Sequence, residues 1–221
     1  MGLIIDGNRR WAKQQKLSSL EGHRCGYENL KKIIKASVSK GIKYVSVYVF
    51  SIENWDRSSH EVDYLMKLML HMTKKDINEF HKEGIRIKII GTKKGLPKQI
   101  EAAIKNAENK TKFNNRGTLL LCFNYSGQVE IAEAVAGLIR DAIKSGDITP
   151  KKIDQYLYAP DTPPLDLVIR TSGEQRISNF MLWRIAYAEF LFVNKYWPAF
   201  TTKDLDAALE NYATRNRRFG K

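Results

Sequence analysis

Four short polar segments, each following a β-rich run, hold the residues of this 221-residue chain whose types and spacing could do chemistry. They are Asp6-Gly7-Asn8-Arg9-Arg10-Trp11 after residues 3–5, Ser51-Ile52-Glu53-Asn54-Trp55-Asp56-Arg57 after 42–50, Asn124-Tyr125-Ser126-Gly127 after 118–123, and Arg170-Thr171-Ser172-Gly173-Glu174-Gln175-Arg176-Ile177-Ser178-Asn179 after 165–169. Brought to one rim, they would set a carboxylate and several arginines among many neutral hydrogen-bonding groups. Guanidinium forks take phosphate oxygens in pairs, and a Gly-containing turn opening a helix offers free backbone N–H groups to an anion. The set resembles a diphosphate site. Asp6 has two readings of equal weight: it holds Mg2+, which takes one or two carboxylates plus the substrate's own phosphates, or it caps the helix and pairs with a neighbouring arginine.

The elements that must position these residues follow from hydropathy patterning. Runs at 3–5, 42–50, 85–90, 118–123, 165–169 and 190–193 read as strands, several apolar on both faces as in a covered parallel sheet. Tyr27, Leu30, Ile33, Ile34 and Val38 form a helical stripe that Gly41 ends at C′. Val62, Leu65, Met66, Leu68, Met69 and Met72 form a second in a segment closed by Gly84, and Ile131, Val135, Leu138 and Ile139 a third; Thr149-Pro150 reads as N-cap and N1. Strand and helix alternating in this way predict one continuous α/β domain over 1–221, an open, mostly parallel sheet of about six strands with right-handed crossovers and helices on its faces. Ligands of such sheets bind beyond the carboxyl ends of the strands, where the four polar segments lie.

Composition narrows the class. With 43% hydrophobic and 10% aromatic residues, 14 Gly and 6 Pro, the chain is neither disordered nor fibrous. Its net charge of +13 is uneven: 11 basic and 5 acidic residues to position 60, 13 and 7 over 61–116, 13 and 12 thereafter. Such a field suits phosphate esters, nucleic acid or an anionic membrane surface, and it also serves plain solubility. No apolar run nears the roughly 18 residues of a spanning helix, and the charged motif arrives within a few residues of the start, so a cytoplasmic protein is expected, with peripheral membrane contact open. Cys25 and Cys122, 97 positions apart, read as buried reduced thiols. Dinucleotide, P-loop, zinc-protease and C-x-x-C signatures are absent. Of the four histidines, His60, His71 and His81 fall in a helical pattern as solvated or core-edge residues, whereas His23 opens a helix facing the rim.

Taken together, the motifs resemble the cis-prenyltransferases of the undecaprenyl diphosphate synthase family over essentially residues 3–220. The carriers are Asp6 to Lys13, Gly22-His23, Ser51-Ile52-Glu53-Asn54-Trp55 with Arg57 and Glu61, Arg170 through Phe180, Leu182-Trp183, Ala186-Tyr187-Ala188-Glu189, Trp197-Pro198 and Arg217-Arg218-Phe219-Gly220. The resemblance implies repeated condensation of isopentenyl diphosphate onto an allylic diphosphate such as farnesyl diphosphate, giving a long cis-polyprenyl diphosphate of the undecaprenyl kind. By position it makes Asp6 the essential Mg2+-linked carboxylate and Glu189 a second metal-associated acid. Gly7, Asn8, Arg9, Arg10, Trp11 and His23 fall to the allylic diphosphate; Arg170, Arg176, Ile177 and Ser178 to isopentenyl diphosphate; Ser51, Ile52, Glu53, Trp55 and Arg57 to the pocket between them. Asn54 matches a residue proposed to help proton removal, although an amide is a poor base and the departing diphosphate can serve. The resemblance further implies a homodimer whose basic tail, Arg217 to Gly220, reaches the neighbouring active site, and an apolar tunnel beneath the rim, with Val62, Leu65, Met66, Met69, Met72, Val49 and Phe123 as candidate walls. Such a stripe is also what an ordinary core presents.

Ionising an allylic diphosphate needs charge neutralised on the leaving group, not a covalent nucleophile, which agrees with the residue types present. The aspartate-rich D-D-x-x-D of trans-type synthases is absent. Ser19 stands where the family usually has another phosphate-binding arginine, with Lys13 and Lys16 as candidate compensation, and Val49 and Phe123 are bulkier than usual. Two competing classes were weighed. A non-catalytic partner subunit would lose the site, yet Asp6, Asn54, Arg170, Arg176 and Glu189 are all present; a nucleic-acid-binding domain would expose stacking aromatics on a cationic face, whereas Trp11, Trp55, Trp183 and Trp197 lie in or beside the motifs.

Overall fold

The computed structural model describes residues 1–215. Six strands, β1 (Gly2–Ile4), β2 (Tyr44–Ser51), β3 (Ile85–Ile90), β4 (Gly117–Tyr125), β5 (Leu167–Arg170) and β6 (Glu189–Phe192), form one sheet in the order β3-β4-β2-β1-β5-β6. Every pairing is parallel. The two-residue period of β4 shows how both faces are filled: Leu119, Leu121 and Phe123 enter one core cluster, Leu120 and Cys122 the other.

The helices are α1 (Asn8–Gln14), α2 (Ser19–Ser39), α3 (Ser59–His71), α4 (Ile77–Lys82), α5 (Lys98–Thr111), α6 (Gly127–Arg140), α7 (Pro150–Asp154) and α8 (Thr202–Ala213). Helix α2 ends as the sequence predicts: Gly41 has φ +84°, its N–H donates to the Val38 carbonyl, and the Ile42 N–H donates to that of Ser37, a Schellman closure. The second stripe forms α3 and α4, joined without a break by a π-helical turn at Met72–Asp76 that the pattern does not reveal. At the β3 edge, the Ile87 N–H donates to Thr111 Oγ1 (3.0 Å) and the Ile89 N–H to Glu108 Oε1 (2.9 Å), so side chains of α5 occupy donors that another strand would otherwise seek.

Two expectations change. The stripe Ile131, Val135, Leu138, Ile139 does not face inward as a unit. Helix α6 buries Gly127, Glu130, Ala134, Gly137 and Leu138 and leaves Val135 and Ile139 exposed, Ile139 by 73%. A Cβ on Gly137 would come within 2.7 Å of Tyr156, so that face packs through its small residues. Asn124 and Tyr125, read as loop, are the last residues of β4; both are buried, and Ser126 alone separates the strand from α6, its Oγ accepting the Val129 N–H as N-cap.

Chain direction across the sheet reverses beside β1. The α1–α2 crossover packs on the face of Leu3 and Val47, whereas the segment after β5 sends Phe180, Met181 and Ile185 to the face of Ile4 and Val168. Loops leaving β1 and β5 therefore diverge and open a crevice at the carboxyl edge.

Candidate active site

A cleft of about 960 Å3 opens at that edge and draws its lining from the ends of β1, β2 and β5 and from α1 to α3. Of the sequence-derived site residues, Asp6, Gly7, Asn8, Arg9, Arg10, His23, Ser51, Asn54, Arg57, Arg170 and Ser178 line it. Lys13 and Lys16 follow Arg9 at i+4 and i+7, one cationic stripe on and beyond α1, with Ser18 and Ser19 beside it.

Gly7 has φ +104°, and a Cβ there would lie 2.7 Å from Tyr196 and 3.1 Å from Ser172 Cβ, so only glycine makes this turn. No side chain caps α1. Asp6 is therefore not a cap; it lies between two guanidiniums, with Arg170 Nη2 at 2.8 Å and Arg10 Nη2 at 3.1 Å. Burial works to raise its carboxyl, but Arg170 and Arg10 outweigh burial and hold it below the ordinary aspartate value. Asp6 is an anion at neutral pH.

Arg170 is 4% exposed and organises the fourth loop from within. Its Nη1 donates to Ser178 Oγ (2.9 Å) and to the Arg176 carbonyl, while its Nε is buried without a partner. Around it Ser172, Ser178, Asn179 and Met181 all take positive φ, a concentration of left-handed residues that persists only where surrounding bonds impose it. Glu174 bridges Arg10 and Arg176 at the mouth, and Arg10 also donates to Ser172 Oγ (2.6 Å) and lies over the Tyr196 ring at 5.6 Å. The arginines are pre-oriented by acids and hydroxyls, which spares the entropy of ordering them around a ligand.

On the other wall, His23 and Glu61 are buried together, His23 Nε2 at 2.9 Å from Glu61 Oε1; Arg57 Nη1 donates to the same oxygen (2.9 Å) and Arg9 approaches Oε2 at 3.8 Å. Burial, then the positive charge of Arg57 and Arg9, lowers the His23 pKa from 6.5 despite Glu61, so the imidazole is neutral at pH 7. An unfolded His23 takes up a proton below about 6.5 that the folded one resists, so this stability is complete above pH 6.5 and is lost as pH falls toward the lower folded value. Thermal unfolding midpoints should therefore decline from pH 7 to pH 5.5, and His23→Gln should flatten the decline. A slope that is the same in His23→Gln would refute this assignment.

Several predicted residues lie off the cleft. Trp11 is half-buried on α1, about 200° around from the Arg9 side. Ile52 and Trp55 belong to a 3-10 turn, Ile52–Asp56, and Asn54 Oδ1 caps that turn by accepting the Ser51 N–H (3.1 Å). Glu53 is exposed, near Asn179 Nδ2 at 3.5 Å. Arg176 reaches solvent beside Glu174, and Ile177 packs on the second core cluster instead of facing substrate. Glu189 opens β6 opposite Leu167, at the far end of the strands from Asp6, and pairs with Arg215 at 2.9 Å. Within one chain it does not join Asp6. Arg217 to Gly220 lie outside the described residues.

Sequence reasoning missed Tyr48, Ser172, Glu174, Tyr196 and the anchoring role of Asn124. A β-bulge in β2 at Val49 puts Val49 and Phe50 on the same face of the sheet, which a strict two-residue alternation conceals, while Tyr48 packs on the other face; all three border the cleft. Beneath the cleft lies an apolar cavity of about 80 Å3. Leu65, Met69, Met72, Val49 and Phe123 line it as expected, together with Tyr27 and Leu30, whereas Val62 and Met66 are buried in the core. Cys25 and Cys122 are both free thiols.

The Prenyltransf model, that of the undecaprenyl diphosphate synthase family, matches residues 4–220. Over its whole length the chain is 44% identical to an isoprenyl transferase of Thermotoga maritima, covering 95% of it, and 42% identical to a trans,polycis-polyprenyl diphosphate synthase, (2Z,6E)-farnesyl diphosphate specific, of Thermobifida fusca, covering 79% of it. The crystal structure of lavandulyl diphosphate synthase from Lavandula x intermedia in complex with dimethylallyl diphosphate superposes with a TM-score of 0.93 at 36% identity, covering all of this chain and 97% of that one. The family model over residues 4–220 and relatives at 42–44% identity over the whole chain, with a fold shared with the solved synthase, make the chain a member of the undecaprenyl diphosphate synthase family of prenyl transferases.

Proposed function

We propose that the enzyme condenses isopentenyl diphosphate with an allylic diphosphate, setting each new double bond cis, and that the rim of Asp6, Arg9, Arg10, Lys13 and His23 holds the allylic diphosphate while its hydrocarbon enters the cavity below. The observation that carries this reading is the vertical order: phosphate-binding groups at the rim, apolar walls directly beneath. Mg2+ suits Asp6, an ionised, partly exposed carboxylate facing the cleft, because that ion needs one or two carboxylates and completes its shell with substrate phosphates. When bound, the ion supplies charge neutralisation to the departing diphosphate. The chain's own residues do the rest. Arg9, Arg10 and Lys13 place cationic donors against the leaving oxygens, neutral His23 keeps its Nε2–H on Glu61 and so holds that carboxylate beside Arg57, and Arg176 with Ser178 orients the second diphosphate.

Product length has two readings. Farnesyl diphosphate extended to an undecaprenyl chain is the family expectation. A short product is favoured by the bulk of Val49 and Phe123 in the cavity wall. Phe123, tilted 35° against Phe50 at 5.3 Å, forms part of that wall. Incubation with Mg2+, labelled isopentenyl diphosphate and either dimethylallyl or farnesyl diphosphate, followed by product sizing, tests the proposal; no labelled prenyl diphosphate would refute it. Phe123→Ala is expected to lengthen the product by at least one isoprene unit, and an unchanged distribution would remove Phe123 from control of length. A homodimer is part of the proposal, and the exposed Val135 and Ile139 on α6 support it as an apolar face for a second copy. Among the described residues no helix is long and apolar enough to cross a membrane; contact of the basic surface with anionic lipid, in a cytoplasmic setting, completes the proposal.

A further inference from the structure

One of the four rim segments, at 124–127, contributes no residue to the cleft, although it lies at the same edge of the sheet as the others. Its first residue, Asn124, is 1% exposed and adopts φ +51°, and every polar atom of its amide is engaged. Nδ2 donates to the carbonyls of Thr92 (2.8 Å) and Lys94 (3.0 Å), and the Asn124 carbonyl accepts the Thr92 N–H (3.1 Å). The turn that supplies these partners is itself fixed. Gly91 has φ +152°, and a Cβ there would stand 1.9 Å from the Phe123 carbonyl oxygen, so the turn is pressed against the backbone end of β4. With both donors held on that side, Oδ1 faces the opposite way and accepts the indole Nε1–H of Trp55 at 2.7 Å.

Trp55 is the tether of the 3-10 turn that carries Asn54 and precedes Arg57, both of which line the cleft. Its ring also meets Phe50 edge-on at 5.3 Å, and Phe50 packs in a tilted arrangement, at 5.3 Å, on Phe123, the neighbour of Asn124. The turn therefore rests on β4 through one directional bond and one aromatic contact. A ring contact alone permits rotation and sliding, whereas the indole bond to a buried, fully committed amide fixes one position.

We infer that Asn124 is a positioning residue: through Trp55 it sets the place of segment 51–57, and with it Asn54 and Arg57, against the allylic diphosphate. The inference rests on the proposed seating of the allylic diphosphate in the cleft that Asn54 and Arg57 also line. Displacements of about 1 Å in groups that orient a reacting substrate cost on the order of 100-fold in rate.

Asn124→Gly keeps the positive φ without strain and removes only the amide. In that variant, amide hydrogen exchange across 51–57 should become about five- to tenfold faster in the unliganded protein, the amount one lost hydrogen bond allows. Its kcat/KM for the allylic diphosphate should fall by about 100-fold with a raised KM, while KM for isopentenyl diphosphate stays parental. A merely structural loss would lower the active fraction and leave both KM values alone. Unchanged exchange over 51–57, or parental kcat/KM with faster exchange, overturns the inference; absence of product from the parent enzyme instead overturns the transferase reading. If Asn124→Gly does not fold, Trp55→Phe removes the indole donor while retaining a ring on Phe50, and exchange over 51–57 decides the matter alone: faster supports the tether, unchanged refutes it.

Discussion

Asp6→Asn is expected to lower kcat by about 10³-fold, measured as labelled isopentenyl diphosphate incorporated at saturating substrates and Mg2+. The amide keeps the shape of the carboxylate and one acceptor oxygen, so either Arg10 or Arg170 can still be met. What disappears is the negative charge that suits the site to Mg2+. Asp6→Ala should differ in kind. Arg170 is 4% exposed and Asp6 is its only carboxylate partner among the described residues, so alanine strands a buried guanidinium. Breaking a buried pair costs about 3–5 kcal/mol, and with Asp6 still 30% exposed the low end applies, a fall in Tm of roughly 6–12 °C for a chain of this size. Asp6→Asn with turnover within tenfold of the parent would refute the metal assignment; Asp6→Ala with parental Tm would refute the role of the pair in holding the loop.

That dual role explains what was legible in the sequence. All six strands lie where alternation and β-branched runs put them, because a sheet covered on both faces demands continuous apolar segments that few other structures use. The rim was legible for the same reason, since Asp6 and Ser178 follow strand ends and Arg170 is the last residue of β5. The misses have physical causes. The α6 stripe counted apolar residues without their volume, whereas packing against Tyr156 selects the small side chains Ala134 and Gly137. The bulge near Val49 inserts a residue that no two-residue period can show, so the shared facing of Val49 and Phe50 was not legible. Trp11 and Ile177 sit inside motifs whose neighbours do line the cleft; helical rotation and a core anchor direct them elsewhere.

Glu189 lies apart from Asp6 for a topological reason. Motif order along the chain says that it follows the fourth loop, not at which end of β6 it emerges. The strand is parallel to β5, and Leu167 is its partner, so the residue sits at the amino end while the rim forms at the carboxyl end. Its ion pair with Arg215, two residues after α8, ties that residue to the same edge.

Arg170→Lys is the substitution that separates a phosphate ligand from a scaffold. The guanidinium spans Asp6 on one side and the Arg176 carbonyl and Ser178 Oγ on the other, three partners in the plane of one fork. An ammonium is a compact point donor and cannot reproduce that fork. If Arg170 acted only on isopentenyl diphosphate, lysine would raise KM for that substrate and nothing else. The geometry predicts more. Release of Asp6 loosens the allylic side, and release of Ser178 and Arg176 relaxes a loop whose Ser172, Ser178, Asn179 and Met181 hold left-handed backbone. Arg170→Lys should therefore lower kcat/KM for both diphosphates by about 100-fold each, with a reduced Tm. Initial rates with each diphosphate varied in turn give the answer: parental KM for the allylic substrate together with a parental Tm would make Arg170 a ligand of one substrate only, and the coupling of the two half-sites through Asp6 would be lost with it.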